Sequence, residues 1–168
     1  IQSMEDFFFN IELIPKARCA ETFDFPLYNY RKPFHETLAS AYNPDYFLLS
    51  KKRYSAEKEC LEATGAATAE NMQLLYKIYI KHIISCGIRD FSKKAKLTNK
   101  QRKNNLNLYL NDELTKEVSE KYNPASLKMK LIKKAFAGRH IVISGYLCRT
   151  VSFVQNKFGT VYNRMLKK

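Results

Sequence analysis

Between residues 68 and 86, Met72, Leu75, Ile78, Tyr79, Ile83 and Cys86 recur at intervals of three and four, with His82 on the same face. That spacing lines one side of an α-helix, and a strand cannot present it. Gly87 reads as the C-cap that closes the segment. An amphipathic helix of this length must bury its apolar stripe on neighbours, so the rest of the chain is expected to supply more helices.

Those neighbours are visible on both sides. Residues 5–17 carry Phe8, Ile11, Leu13 and Ile14 at helical spacing until Pro15 breaks the pattern. Asn43-Pro44-Asp45 opens a second segment reaching residue 64, because an Asn before Pro leaves the α region and Pro44 suits a first helical turn. Tyr46, Phe47, Leu49, Tyr54, Cys60 and Leu61 form its broken apolar face, and Gly65 ends it. After the basic linker Lys93-Lys94-Ala95-Lys96, Thr98 is placed to cap one charged helix through residue 120, with Leu106, Tyr109, Leu110 and Leu114 on a narrow stripe. Asn123-Pro124 repeats the start signal before residues 126–136, where Leu127, Leu131, Ala135 and Phe136 face one way between lysines. The apolar run at 141–154 is interrupted by Gly145 and Arg149. It is about fourteen residues against the roughly twenty of a membrane span, so it reads as a core or interfacial helix. Five Gly and five Pro in 168 residues argue against a many-turned all-β fold. The expected fold is mainly α, about five helices.

Charge is placed unevenly. Residues 1–70 hold eight Lys/Arg against eleven Asp/Glu, and residues 71–168 hold twenty-one against five. No acid follows Glu120, whereas eleven basic residues do. Such asymmetry speaks of partners: an anionic membrane surface, nucleic acid or an acidic protein. Lysines beside an apolar helical face suit an anionic membrane. Nucleic acid has only the charge and the interleaved tyrosines in its favour, with no helix-turn-helix, zinc or RNA-binding signature. Cys19, Cys60, Cys86 and Cys148 form no Cys-x-x-Cys pair and read as small buried hydrophobes in a reducing compartment. Residues 1–10 carry acids and no basic stretch of a signal peptide.

The N-terminal stretch is the chemically informative one. Ser3-Met4-Glu5-Asp6 sets two carboxylates before Phe7-Phe8-Phe9. In the local reading Ser3 is the N-cap and Asp6 the third helical residue, a capping box in which the helix dipole also favours the anions. Short strands are expected at 19–23 and 27–31 around the turn Asp24-Phe25-Pro26, with a loop at 32–40. His82, on an apolar helical face, is expected to be a packed core or rim histidine.

The Glu5-Asp6 pair, the following Phe and Phe-Asn step, and the later Pro26-Leu27-Tyr28 and Tyr28-Asn29-Tyr30-Arg31 stretches resemble the later part of a family 2 (GT-A type) glycosyltransferase catalytic domain. The resemblance covers about residues 3–40 with good specificity and the remainder loosely. It implies that residues 1–40 end an α/β catalytic domain and that 41–168 form a helical, basic C-terminal region. It further implies that a nucleotide-binding half, with an Asp-x-Asp motif for Mg or Mn, precedes residue 1, so that the piece alone is inactive. The intact enzyme would transfer a sugar with inversion from a nucleotide-sugar donor to a saccharide or lipid-linked acceptor, in polysaccharide or cell-surface glycan synthesis. Asp6 would take the acceptor hydroxyl's proton, with Glu5 orienting the acceptor or the helix start. Arg31 would meet the leaving diphosphate, with Tyr30 beside it and His35 contacting phosphate or metal from the loop. The expected location is cytoplasmic, peripheral at the inner face of the membrane, and a homodimer is a further option. The competing reading is a non-catalytic basic helical module that binds nucleic acid or an anionic membrane surface.

Overall fold

The computed structural model describes residues 4–19, 21, 24–25, 41–138 and 140–157. Among them are seven α-helices and no strand: α1 (Glu5–Leu13), α2 (Tyr46–Ala63), α3 (Ala69–Asp90), α4 (Asn99–Asn111), α5 (Glu113–Lys121), α6 (Leu127–Ala137) and α7 (Ile141–Lys157). Short 3-10 turns lie at Ile14–Lys16 and Lys93–Ala95. The mainly helical class is as expected, with seven helices in place of about five. Of the two expected strands, residues 19 and 21 are not in strand and the others lie outside the described residues, while Asp24 and Phe25 of the turn between them form a bend.

α3 is the axis. Its 22 residues span about 33 Å, and α2, α4, α5 and α7 all pack on it. Tyr79, Ile83, Leu106, Leu110 and Val118 are almost wholly buried there, each contributing roughly 1.5–3 kcal/mol of burial. Rings interlock across the core, Tyr54 on Tyr79 at 5.0 Å and Phe47 on Tyr109 at 4.7 Å between centroids.

Several ends follow the local chemistry. Thr68 Oγ1 accepts from the Asn71 N–H at 3.2 Å. Thr98 and Gln101 complete a reciprocal capping box, and such caps are each worth about 1 kcal/mol. Gly65 takes φ +67 after α2, and the Ala66 and Gly65 amides return to the Leu61 and Glu62 carbonyls at 2.8 and 3.2 Å. That is a complete Schellman stop. α2 itself starts at Tyr46 behind Asp45, leaving Pro44 just outside the first turn.

Three expectations fail for physical reasons. Gly87 does not end α3, which runs on to Asp90. A Cβ at Gly87 would lie 2.7 Å from Cys148 Sγ and 3.2 Å from Leu106 Cδ2, so the missing side chain leaves room for α7 and α4 to approach. The segment 98–120 is not one helix. Asp112 is extended, and its carboxylate caps α5 by accepting from the Thr115 N–H at 3.2 Å while pairing with Lys51 of α2. In α6, Ala135 is buried as expected, but Leu127 and Leu131 face outward and Met129 faces in. Of the four cysteines, Cys86 and Cys148 are buried, Cys60 is half-buried and Cys19 is exposed.

Candidate functional site

Glu5 and Asp6 form the exposed first turn of α1. The expected capping box is not formed. Met4 occupies the N-cap with φ 70, a left-handed backbone uncommon outside glycine, and no side chain caps the turn; Ser3 lies outside the described residues. Asp6 is thus the second helical residue, beside amides whose partial positive charge favours an anion. Among the described residues neither carboxylate has a hydrogen-bond or ion-pair partner.

The turn is nevertheless tied down. The Arg53 guanidinium of α2 sits 4.3 Å from the centre of the Phe7 ring and is itself held by Glu57 at 2.9 and 3.0 Å. Phe7 meets Phe8 edge-on at 5.3 Å. α1 therefore docks on α2 through Phe7 and leaves its acids open to solvent. Tyr30, Arg31 and His35 lie outside the described residues, so only Glu5 and Asp6 of the predicted constellation are placed.

A second polar centre escaped the sequence reading. Asp90, at the end of α3, is 2% exposed. Its carboxylate accepts from Tyr42 Oη at 2.9 Å, Asn105 Nδ2 at 2.9 Å and Tyr109 Oη at 3.0 Å. Arg102 Nε donates to its carbonyl at 3.0 Å. Burial, then the adjoining carboxylate, pushes the Tyr42 phenol up to about 12 and raises Tyr109 as well. The signal was available: Asp90 is the sole acid between Glu70 and Asp112 in a strongly basic stretch. Three neutral donors on one buried carboxylate make a joint between α3, α4 and the segment before α2.

His82 is the packed rim histidine expected. Its Nδ1 lies 3.1 Å from Tyr46 Oη, and the Arg89 guanidinium lies 4.2 Å from the centre of the Tyr46 ring. Burial, then Arg53 and Arg89, lowers its pKa from 6.5 to about 4. The folded state therefore resists protonating a ring that the unfolded chain protonates near 6.5. Stability from this source is complete above that pH and is lost as the pH falls toward 4. Between pH 7 and 4.5 the parent should lose about 2 kcal/mol more than His82→Gln, discounting for the ring's partial exposure. Urea midpoints at the two pH values check it, and equal losses would refute it.

The third feature lies around α7. A groove of about 710 Å³ is walled by Ile84 and Ile88 of α3, Leu131 and Ala135 of α6, and Leu147 and Val151 of α7. A separate cleft of about 430 Å³ is lined by Phe91, Lys93, Arg149, Phe153 and Lys157. No group of three or more His, Cys, Asp or Glu side chains among the described residues could hold a metal ion. None of their helices is long and apolar enough to cross a membrane.

No family model, no curated protein and no solved structure matches the chain.

Proposed function

We propose that this chain is the acceptor-side, C-terminal part of an inverting glycosyltransferase, with Asp6 as the base. The observation that carries the reading is the open acidic turn of α1, fixed to the helical body by Phe7 on Arg53 while its carboxylates have no partner among the described residues. The resemblance of residues 3–40 to the family 2 pattern gives the pair its role. An incoming hydroxyl bound at Asp6 would lose its proton late, once attack on the anomeric carbon had made it acidic, so a weak base suffices. Glu5 next to it would orient the acceptor or the turn. The nucleotide-sugar and its Mg or Mn would be held by an Asp-x-Asp half encoded upstream, with Arg31, Tyr30 and His35 completing the donor side.

The coding sequence ahead of Ile1 is the first test, and an α/β half bearing Asp-x-Asp is the expected finding. In the protein expressed from that full reading frame, nucleoside diphosphate release is measured over a panel of nucleotide sugars. Asp6→Asn should lower the rate roughly 100-fold or more, whereas Glu12→Gln on the same helix leaves it unchanged. A frame lacking such a half, or an Asp6→Asn rate within a few-fold of the parent, would overturn the proposal.

A further inference from the structure

α7 is built inside out. Its buried side chains are the small ones, Ser144, Cys148 and Ser152, at successive four-residue steps. Several of its large apolar side chains point away from the body: Val142 is 82% exposed, Tyr146 73% and Phe153 58%. The neighbouring α6 adds exposed Leu127 and Leu131. Leu127 and Leu131 share the apolar groove with Ile143 and Leu147 of α7, themselves half-exposed, and exposed apolar surface of this extent marks a docking surface.

The charge around it selects the occupant. Lys93, Arg149 and Lys157 gather at the cleft beside Phe91 and Phe153, and Lys157 Nζ lies 5.5 Å from the centre of the Phe153 ring. The sequence from Lys121 onward contains no Asp or Glu to oppose them. Apolar side chains flanked by cations, with an outward tyrosine, match the boundary between acyl chains and anionic headgroups. A second copy of this chain would set cations against cations, and nucleic acid would leave the aliphatic face exposed to water.

We infer that the outer face of α6 and α7 is an interfacial membrane-docking surface: Val142, Tyr146 and Phe153 enter the acyl boundary, and Lys93, Arg149 and Lys157 meet lipid phosphates. This goes beyond the transferase proposal and stands without it.

The chain contains no tryptophan, so single-tryptophan variants report position cleanly. The full chain carrying Tyr146→Trp is mixed with phosphatidylcholine vesicles containing 30% phosphatidylglycerol. Its emission should shift to the blue and be quenched by brominated lipid. Leu108→Trp, on exposed α4 surface, should do neither. Pure phosphatidylcholine or 0.5 M salt should abolish most of the signal. Replacing Lys93, Arg149 and Lys157 together by glutamine should weaken partitioning on the order of 100-fold, from about five-fold per charge. Val142→Ser, which leaves the charges intact, should weaken it independently. No binding to anionic vesicles, equal quenching of both probes, a concentration-dependent dimer that shields the Tyr146→Trp probe without lipid, or a salt-sensitive complex with DNA in place of vesicles would each overturn the inference.

Discussion

Asp90→Ala is expected to lower the unfolding free energy by about 4 kcal/mol, a large loss for a single polar substitution. The carboxylate is buried and accepts from Tyr42, Asn105 and Tyr109 at once. Alanine removes the acceptor and leaves three donors without it, Tyr109 buried and Tyr42 and Asn105 half-buried. The cost is thus that of orphaned partners as well as of the lost bonds. Graded variants separate these contributions. Tyr109→Phe deletes one donor and should cost about 1.5 kcal/mol, because the acid keeps two. Asp90→Asn preserves shape but turns an NH₂ group toward a donor, and should fall between, at about 2 kcal/mol. Urea unfolding of the full chain, followed by circular dichroism, gives the ordering directly, with the slope unchanged if the transition stays two-state. An Asp90→Ala protein within 1 kcal/mol of the parent would mean that packing alone holds the α3–α4 corner.

That joint shows where sequence reading succeeds and where it stops. Thr98 caps its helix through an amide three residues away, and so was legible. The stripe from Met72 to Cys86 was legible because helical spacing alone forces one side toward the core. Gly87 was misread because a glycine at the end of an apolar run looks the same whether it stops a helix or admits a neighbour. Cys148, on a different helix, decides between the two. At Asp112 the local signal was present, an acid three residues before Thr115, yet the charged pattern on either side runs on without a change of period. In α7 the rule that large apolar residues go inward points the wrong way, since the small side chains of Ser144, Cys148 and Ser152 are what permit close contact with α3. Asp90 needed both Tyr42 and Tyr109 in view before its burial made sense. For Glu5 and Asp6 the helix was legible but its cap was not, because Met4 supplies only backbone.

Gly87→Val is expected to cost about 3 kcal/mol, although valine is the better helix residue by a few tenths of a kcal/mol. The first added carbon would already sit 2.7 Å from Cys148 Sγ, and the two γ-methyls would press on α7 and on Leu106. Cys148 is almost fully buried, so its sulfur has little room to rotate away and the helices must part instead. Gly87→Ala should cost less, about 2 kcal/mol, since it sets the same Cβ against the buried sulfur but brings no γ-methyls to press further on α7 and Leu106. The pairing is decided by a double-mutant cycle with Cys148→Ala, which opens the space that the new Cβ needs. The double variant should be at least 1 kcal/mol more stable than the sum of the single losses implies. Gly65→Ala is the control. Its Cβ would meet nothing within 4 Å, but φ is +67, so it should lose about 1 kcal/mol through the backbone alone. Cys148→Ala should not rescue that loss. Rescue at 87 with none at 65 distinguishes a glycine kept for its neighbour from one kept for its torsion angle, and equal responses at both would refute the close α3–α7 contact.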